Sequence, residues 1–370
     1  MPDTETRQPA DEPLGQLETV ANFDGAMPTG VTVSQRGRIF VNFPKWGDDV
    51  RFTVAELKDG RPVAFPDEEA NRTRDDDPAA ALVSVQSVVV DPADRLWILD
   101  TGSPMFQPTE LGGPKLVCID LATDRVVRSI LFPRDVALPT TYLNDVRFDL
   151  RRGAEGMAFI TDSADKGPNG IIVIDLASGE SWRRLHDHPS TKAEPPERFL
   201  PVVEGRPVME RQPDGATKPV TMGADGIALG GDGTRLFYCP LASRRLYSVS
   251  TDALADRKLD DAAVAATVQD EGDKGGGADG LETDDQGRIY ATSYEHNAIL
   301  RRQPDGGWET VAHDPRLLWP DTMSVAADGY LYVTANQLHR QARYQRGQDL
   351  RRKPYSLFRI RLDAGPLLLR

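Results

Sequence analysis

One pattern recurs six times along this chain. A polar residue opens a short apolar run, a Gly/Asp turn follows, and a second run is rich in aromatic and β-branched residues. The copies are TGVTVSQRGRIFVN (29–42), QSVVVDPADRLWILD (86–100), NDVRFDLRRGAEGMAFITD (144–162), DGIALGGDGTRLFYC (225–239), DGLETDDQGRIYATS (279–293) and DTMSVAADGYLYVTAN (321–336). Each reads as a β-hairpin. A lone hairpin cannot bury its apolar face, so the copies must stack, and a radial stack of small sheets is a propeller. The copies start about 40–80 residues apart, which leaves room for two more strands in each unit. In the fifth unit these are NAILRRQ (297–303) and WETVAHD (308–314). The longest interval holds an extra loop, 187–223, rich in Pro and charge.

The ring has to close. After the sixth hairpin only YSLFRIRL (355–362) remains as a strand, so one strand is missing. LETVANFDGAMPTGVTV (17–33) parallels WETVAHDPRLLWPDTMSV (308–325), so residues 17–23 are expected to complete the last blade and protect its edge. The expected layout is a disordered lead-in over 1–16, an all-β, six-bladed propeller over 17–362 and a C-terminal tail over 363–370.

The formal charge of −13, with no basic stripe, argues against nucleic acid and anionic membranes as partners. No apolar run approaches the ~20 residues of a membrane span. The N-terminal MPDTETRQPADEP lacks a basic and an apolar signal region, so a cytoplasmic location is expected. Cys118 and Cys239 each sit inside an apolar run and read as buried free thiols.

In a propeller, first strands start and second strands end on one face, around the channel mouth. That places Asn144, Asp225, Asp279 and Asp321 at the mouth, with Asp100, Asp162, Tyr294 and Asn336 close by. The connections 102–114, 163–169 and 336–354 should roof this face. A polar residue at a strand end also serves to cap the ladder. Three carboxylates and an amide at one mouth need a compensating cation or donors. Asn144, Asp225, Asp279 and Asp321 are therefore candidate ligands for a divalent metal, calcium first and magnesium or manganese next. Asp100-Thr101-Gly102 invites an aspartic-protease reading, but that chemistry needs two such carboxylates facing one water, and a second Asp-Thr-Gly is missing. His186 and His188 lack a ligand framework, and GDKGGGADG (272–280) leads into a strand rather than a phosphate-binding helix.

The chain resembles the major royal jelly protein/Yellow family over about 20–362. The resemblance rests on RIFVNFPKWGDDVRFTVAEL (38–57), LVSVQSVVVDPADRLWILDTG (82–102), TYLNDVRFD (141–149), SGESWRRLHDHPS (178–190) and LWPDTMSVAADGYLYVTAN (318–336). It implies a six-bladed propeller, and a function ranging from small-molecule binding to conversion of an oxidised catechol. Insect members often have a cysteine before the RLW block, where this chain has DPADRLW. A more distant similarity is to the gluconolactonase/senescence-marker-protein propellers, whose mouth residues hold a divalent metal. Leu143-Asn144-Asp145, Asp225-Gly226 and Asp279-Gly280 resemble their motifs, while Thr29 stands where they have a glutamate.

Two main readings follow. In the first, the chain is a metal-assisted hydrolase of a lactone or related cyclic ester, with Asp279 relaying the proton and Glu282 as the alternative base. In the second, it binds a small molecule without chemistry, with Trp319, Tyr294, Phe106 and Tyr142 as aromatic anchors and Asp100, Asp162 and Asn336 among the contacts. An isomerase acting on an oxidised catechol is a third reading, drawn from the family alone.

Overall fold

The computed structural model describes residues 12–370 except 73 and 75. Among the described residues there are six four-stranded antiparallel sheets, arranged as the blades of a propeller. Their inner strands are Val31–Val33, Val85–Val90, Leu143–Asp149, Ala224–Leu229, Ala278–Thr283 and Pro320–Val325. Each inner strand packs against its neighbours on both sides, and the sixth packs against the first. All six predicted hairpins supply the two innermost strands of a blade.

The ring closes as the sequence suggests. Leu17–Phe23 pairs antiparallel with Tyr355–Arg361, from Leu17 opposite Ile360 to Phe23 opposite Tyr355. The chain is ordered a little further upstream, where Leu14 bridges His313 on the outer strand of blade five. The rest of the expected lead-in, through residue 11, lies outside the described residues. At the other end, residues 363–370 do not leave the propeller. Pro366 bridges Asp284, Leu369 accepts a hydrogen bond from the Leu150 amide, and Leu369 is buried between blades three and four.

Six apolar clusters fill the six seams between blades. Trp97, Phe148, Ile160 and Ile172 pack between blades two and three, and Tyr290, Met323, Val333 and Phe358 between five and six. Alternation explains this, because residues of one strand point to opposite seams. Cys118 and Cys239 are buried free thiols in two of these seams, and burial pushes the Cys118 thiol up to about 12. The loop 187–223 folds into two small hairpins, Val202–Val203 with Arg206–Pro207 and Met209–Arg211 with Thr217–Pro219.

The closing strand contributes to the seam between blades six and one. Phe23 is 3% exposed and packs edge-on against Phe43, with ring centroids 5.6 Å apart. Phe23→Ala is expected to cost about 3–5 kcal/mol, read as a lower denaturant midpoint. An unchanged midpoint would mean that this strand does not hold the ring.

Candidate functional site at the channel mouth

The inner strands do not run straight into the mouth. In blades three to six the register shifts at the opening of the strand, between Leu143 and Val146, Ala224 and Ile227, Ala278 and Leu281, and Pro320 and Met323. Each shift is a bulge that re-aims side chains. The bulged residues are Asn144-Asp145, Asp225-Gly226, Asp279-Gly280 and Asp321-Thr322. The glycines are required by crowding: a Cβ on Gly226 would lie 2.6 Å from the Asp279 carbonyl, and one on Gly280 2.4 Å from the Asp321 carbonyl. Threonines on the second strands of blades three, five and six bond the backbone of these openings. Thr292 Oγ1 accepts from the Asp279 and Gly280 amides, and Thr161 and Thr334 donate to the Asp225 and Thr29 carbonyls.

These bulges bring Asn144, Asp225, Asp279 and Asp321 together around a cavity of about 20 Å³, room for one water-sized species. Asn144 Nδ2 donates to Asp225 Oδ2 at 2.7 Å and to Ser163 Oγ at 2.9 Å. Trp319 Nε1 donates to Asp279 Oδ2 at 2.6 Å. Asn336 Nδ2 donates to Asp321 Oδ2 at 2.6 Å. The Asp225 and Asp279 carboxyls interact across the cavity, and this interaction raises Asp225 and lowers Asp279, which favours the proton on Asp225. Burial pushes Asp279 up to about 6, against the lowering effect of Trp319 and Asp225. Burial, and then the charge of Asp279, push Asp225 and Asp321 well above the usual carboxylate range.

Above this floor lies a vestibule of about 630 Å³. Its wall is a stack of Trp46, Phe106 and Tyr142, with centroid separations of 5.2 Å (Trp46–Phe106) and 4.8 Å (Phe106–Tyr142). Trp46 Nε1 donates to the Tyr142 hydroxyl, which donates to Gln86 Oε1. The guanidinium of Arg343 sits 4.4 Å from the centre of the Phe106 ring. The roof includes residues of the three predicted connections. The inserted hairpins join it: Glu210 pairs with Arg343, and Glu204 pairs with His339 and Arg340.

Several expected contacts lie elsewhere. Asp100 accepts from the Val83, Ser84 and Gly102 amides and pairs with buried Lys115 at 2.9 Å. Asp162 accepts from the Thr141 hydroxyl and the Tyr142 and Ala164 amides, and pairs with Arg183. Both are structural caps at strand ends, not ligand contacts. Tyr294 and Trp319 stack at 4.3 Å and are almost fully buried, so they back the site rather than face a ligand. Asn336 likewise supports Asp321 from within the wall. Glu282 faces the channel but lies at a lower level, 3.7 Å from Arg147 and outside the mouth cavity. His186 and His188 make local hydrogen bonds to Arg183 and Ser190. Trp46 and Gln86 were not expected at the site. The signal for Trp46 was an aromatic in the middle of the connection after the second strand of blade one, as Phe106 is in blade two.

A metal was expected among these carboxylates. Among the described residues no three His, Cys, Asp or Glu side chains are gathered as a ligand set. The donors are nevertheless hard oxygens, buried and without a cationic partner in the cavity, which is the chemistry a divalent cation takes.

Comparison with known proteins bears on both fold and family. Solved structures similar over nearly the whole chain include a calcium-binding protein, regucalcin, from Agrobacterium tumefaciens (TM-score 0.58, 16% identity, 96% of this chain and 98% of that one). A gluconolactonase from Xanthomonas campestris is also similar (TM-score 0.55, 13% identity, 95% and 91%). At such identities they show the shared propeller. Major royal jelly protein 1 of Apis mellifera is 27% identical over 205 residues, 53% of this chain and 43% of the relative. Protein yellow of Drosophila melanogaster is 27% identical over 249 residues, 62% of this chain and 42% of the relative. The match thus takes in less than half of either relative's length. The major royal jelly protein profile matches residues 83–363, and the chain belongs to the major royal jelly protein family.

Proposed function

We propose that the channel mouth is the active site of a hydrolase acting on a lactone or related small cyclic ester. The observation that supports this reading is the pair of buried carboxylates, Asp225 and Asp279, both pushed above the usual carboxylate range by burial, at the floor of an aromatic-walled vestibule. Two carboxylates in one site hold one proton and one charge, which supplies a base and an acid together. Asp279 as carboxylate takes a proton from the attacking water while the water oxygen bonds to the carbonyl carbon. Asp225 as the acid gives its proton to the ring oxygen as the ring C–O bond breaks. The product is the open hydroxy acid, and the pair ends with the one proton it started with. Trp319 fixes Asp279 through Oδ2, and Asn144 fixes Asp225 through Oδ2. The vestibule rings orient the substrate and exclude bulk water.

A divalent cation, calcium first, fits the same acids in place of the proton, held by Asp225, Asp279, Asp321 and the Asn144 amide oxygen. When bound it would polarise the carbonyl and lower the pKa of a water. The stack of Trp46, Phe106 and Tyr142 also favours a second reading, in which a planar ligand is bound in the vestibule and released unchanged.

Asp279→Asn is expected to lower kcat/KM on a panel of γ- and δ-lactones at least about 100-fold. Equal turnover by this variant would end the hydrolase proposal. Ligand binding by calorimetry without turnover would favour the second reading. Calcium is expected to raise the melting temperature of the native chain and to release protons. A flat response would remove the cation and leave the proton pair.

The same pair makes stability depend on pH. Asp279 rises from 3.8 to about 6, so the native state holds its proton where the unfolded chain has lost it. Asp279 alone therefore lowers native stability by about 3 kcal/mol as pH rises from about 4 through about 6, and the raised Asp225 and Asp321 extend the fall to higher pH. Asp279→Asn, which keeps an acceptor for Trp319, is expected to be more stable than the native chain at neutral pH and equal to it near pH 4 by denaturant titration. A difference that did not vary with pH would contradict the raised titration.

A further inference from the structure

Blade two also opens on a bulge. Its register shifts between Val85 and Ser87, and the bulged residue is Gln86. Gln86 lines the mouth cavity together with Asn144, Asp225, Asp279 and Asp321. Its backbone carbonyl is taken by Thr29 and Asn42. Its side-chain amide is oriented by a chain of hydrogen bonds. Trp46 Nε1 donates to the Tyr142 hydroxyl at 2.8 Å, which leaves the hydroxyl proton for Gln86 Oε1 at 3.1 Å. With its oxygen anchored, the amide keeps its N–H donors on the other side. Gln86 Nε2 donates to nothing among the described residues, yet it is not one of the unpaired atoms sealed inside the protein. The open space that Gln86 meets is the mouth cavity.

A second free donor stands at the same cavity. Ser163 follows the second strand of blade three and lines both the mouth and the vestibule. Its Oγ accepts from Asn144 Nδ2 at 2.9 Å, and its own proton has no acceptor among the described residues. The other N–H donors at the mouth are spent. Asn144 Nδ2 serves Asp225 and Ser163, and Trp319 Nε1 serves Asp279. Donors left open beside buried acids need a different purpose from satisfying those acids. In acyl transfer the carbonyl oxygen gains negative charge, and fixed donors aimed at it are a large part of catalysis. Burial pushes Asp225, Asp279 and Asp321 up, which lessens the negative charge that such an oxygen meets.

We propose that Gln86 Nε2 and Ser163 Oγ form the oxyanion hole of the mouth and are catalytic residues. This assignment rests on the hydrolase reading and supplies the group it lacked. As the water oxygen bonds to the carbonyl carbon, the carbonyl π pair moves onto the carbonyl oxygen. Gln86 and Ser163 hold that oxygen by hydrogen bonds and give up no proton. The pair returns to the carbonyl as the ring C–O bond breaks, and the ring oxygen takes its proton from Asp225. Trp46 and Tyr142 are then positioning residues, which act through the Gln86 oxygen.

The test is steady-state turnover of δ-valerolactone by the full chain, with calorimetry on two unreactive probes. These are the cyclic phosphonate analogue of δ-valerolactone, which carries a tetrahedral oxyanion, and δ-valerolactam, which is planar and neutral. Gln86→Met keeps the length of the side chain and removes the donor. It is expected to lower kcat about 100-fold with KM little changed. Ser163→Ala is expected to lower kcat at least about tenfold, and it carries the same test should Gln86→Met melt early. Gln86→Met should weaken the phosphonate about 100-fold and the lactam less than about tenfold. Native turnover with kcat unchanged in both variants would overturn the oxyanion hole and leave the hydrolase standing. Equal weakening of phosphonate and lactam would also overturn it. No turnover by the native chain would end the hydrolase reading and this assignment with it.

Discussion

Crowding of the inner strands at the channel mouth is the constraint from which the rest follows. Six strands converge where backbones approach so closely that Gly226 and Gly280 cannot carry a Cβ. Straight strands would direct alternate residues into the seams and leave the mouth to whichever register remained. The bulges break that alternation. They let Asn144 face the mouth while its neighbour Asp145 faces the lower channel, where it pairs with Arg147. The threonines of the second strands then satisfy backbone groups that the bulges release, so the distortion leaves few orphans.

The strand ends carry two kinds of aspartate, and their surroundings separate them. Asp100 and Asp162 meet backbone amides and a cationic side chain each, Lys115 and Arg183. Asp91 and Asp284, in the turns, meet Arg95 and Arg288, with Trp97 and Tyr290 as further donors. Each of these carboxylates is compensated where it stands, and removing its partner would leave a buried charge at a cost of about 3–5 kcal/mol. Asp225, Asp279 and Asp321 meet only amides, an indole, a hydroxyl and one another. Their burial is not offset by positive charge, so it raises the pKa of all three, and acids with raised pKa values set side by side are the ingredient general acid–base chemistry needs.

The architecture was legible because its determinants are local and repeated. Six hairpins with turn residues between apolar runs specify blades, and the likeness of 17–33 to 308–325 specifies the closing strand. The mouth residues were legible for the same reason, since Asn144, Asp225, Asp279 and Asp321 occupy one position of the repeat. What failed is what the repeat does not encode. Asp100 sits at a mouth-facing strand end, yet its oxygens are taken by the Ser84 amide and by Lys115, fifteen residues along the chain. Glu282 was expected as a base beside Asp279, but the bulge between Ala278 and Leu281 separates their levels. Trp46 lies in a connection, and connections outside the repeat have no period to read. The threonine of FITD, YATS and YVTA was visible in the sequence, but its role needs the bulge to be seen first.

The mouth also holds backbone that the blades do not need. Trp319, Met105, Phe106 and Gln337 have positive φ of 53–60°, without the freedom of glycine. Such residues cost roughly 1–3 kcal/mol each and persist only when their surroundings fix them. At Trp319 the fixing contacts are the Tyr294 ring on one face, His339 on the other and Asp279 at the indole nitrogen. The inserted hairpins reach the same stack, because Glu204 holds His339 from the roof. The strained indole that positions one member of the acid pair is therefore clamped by an element outside the repeat. The blades alone explain why the chain folds. Strain, acids without cationic partners and an inserted clamp at a single opening are hard to explain by folding, and they coincide where the buried carboxylates meet the vestibule.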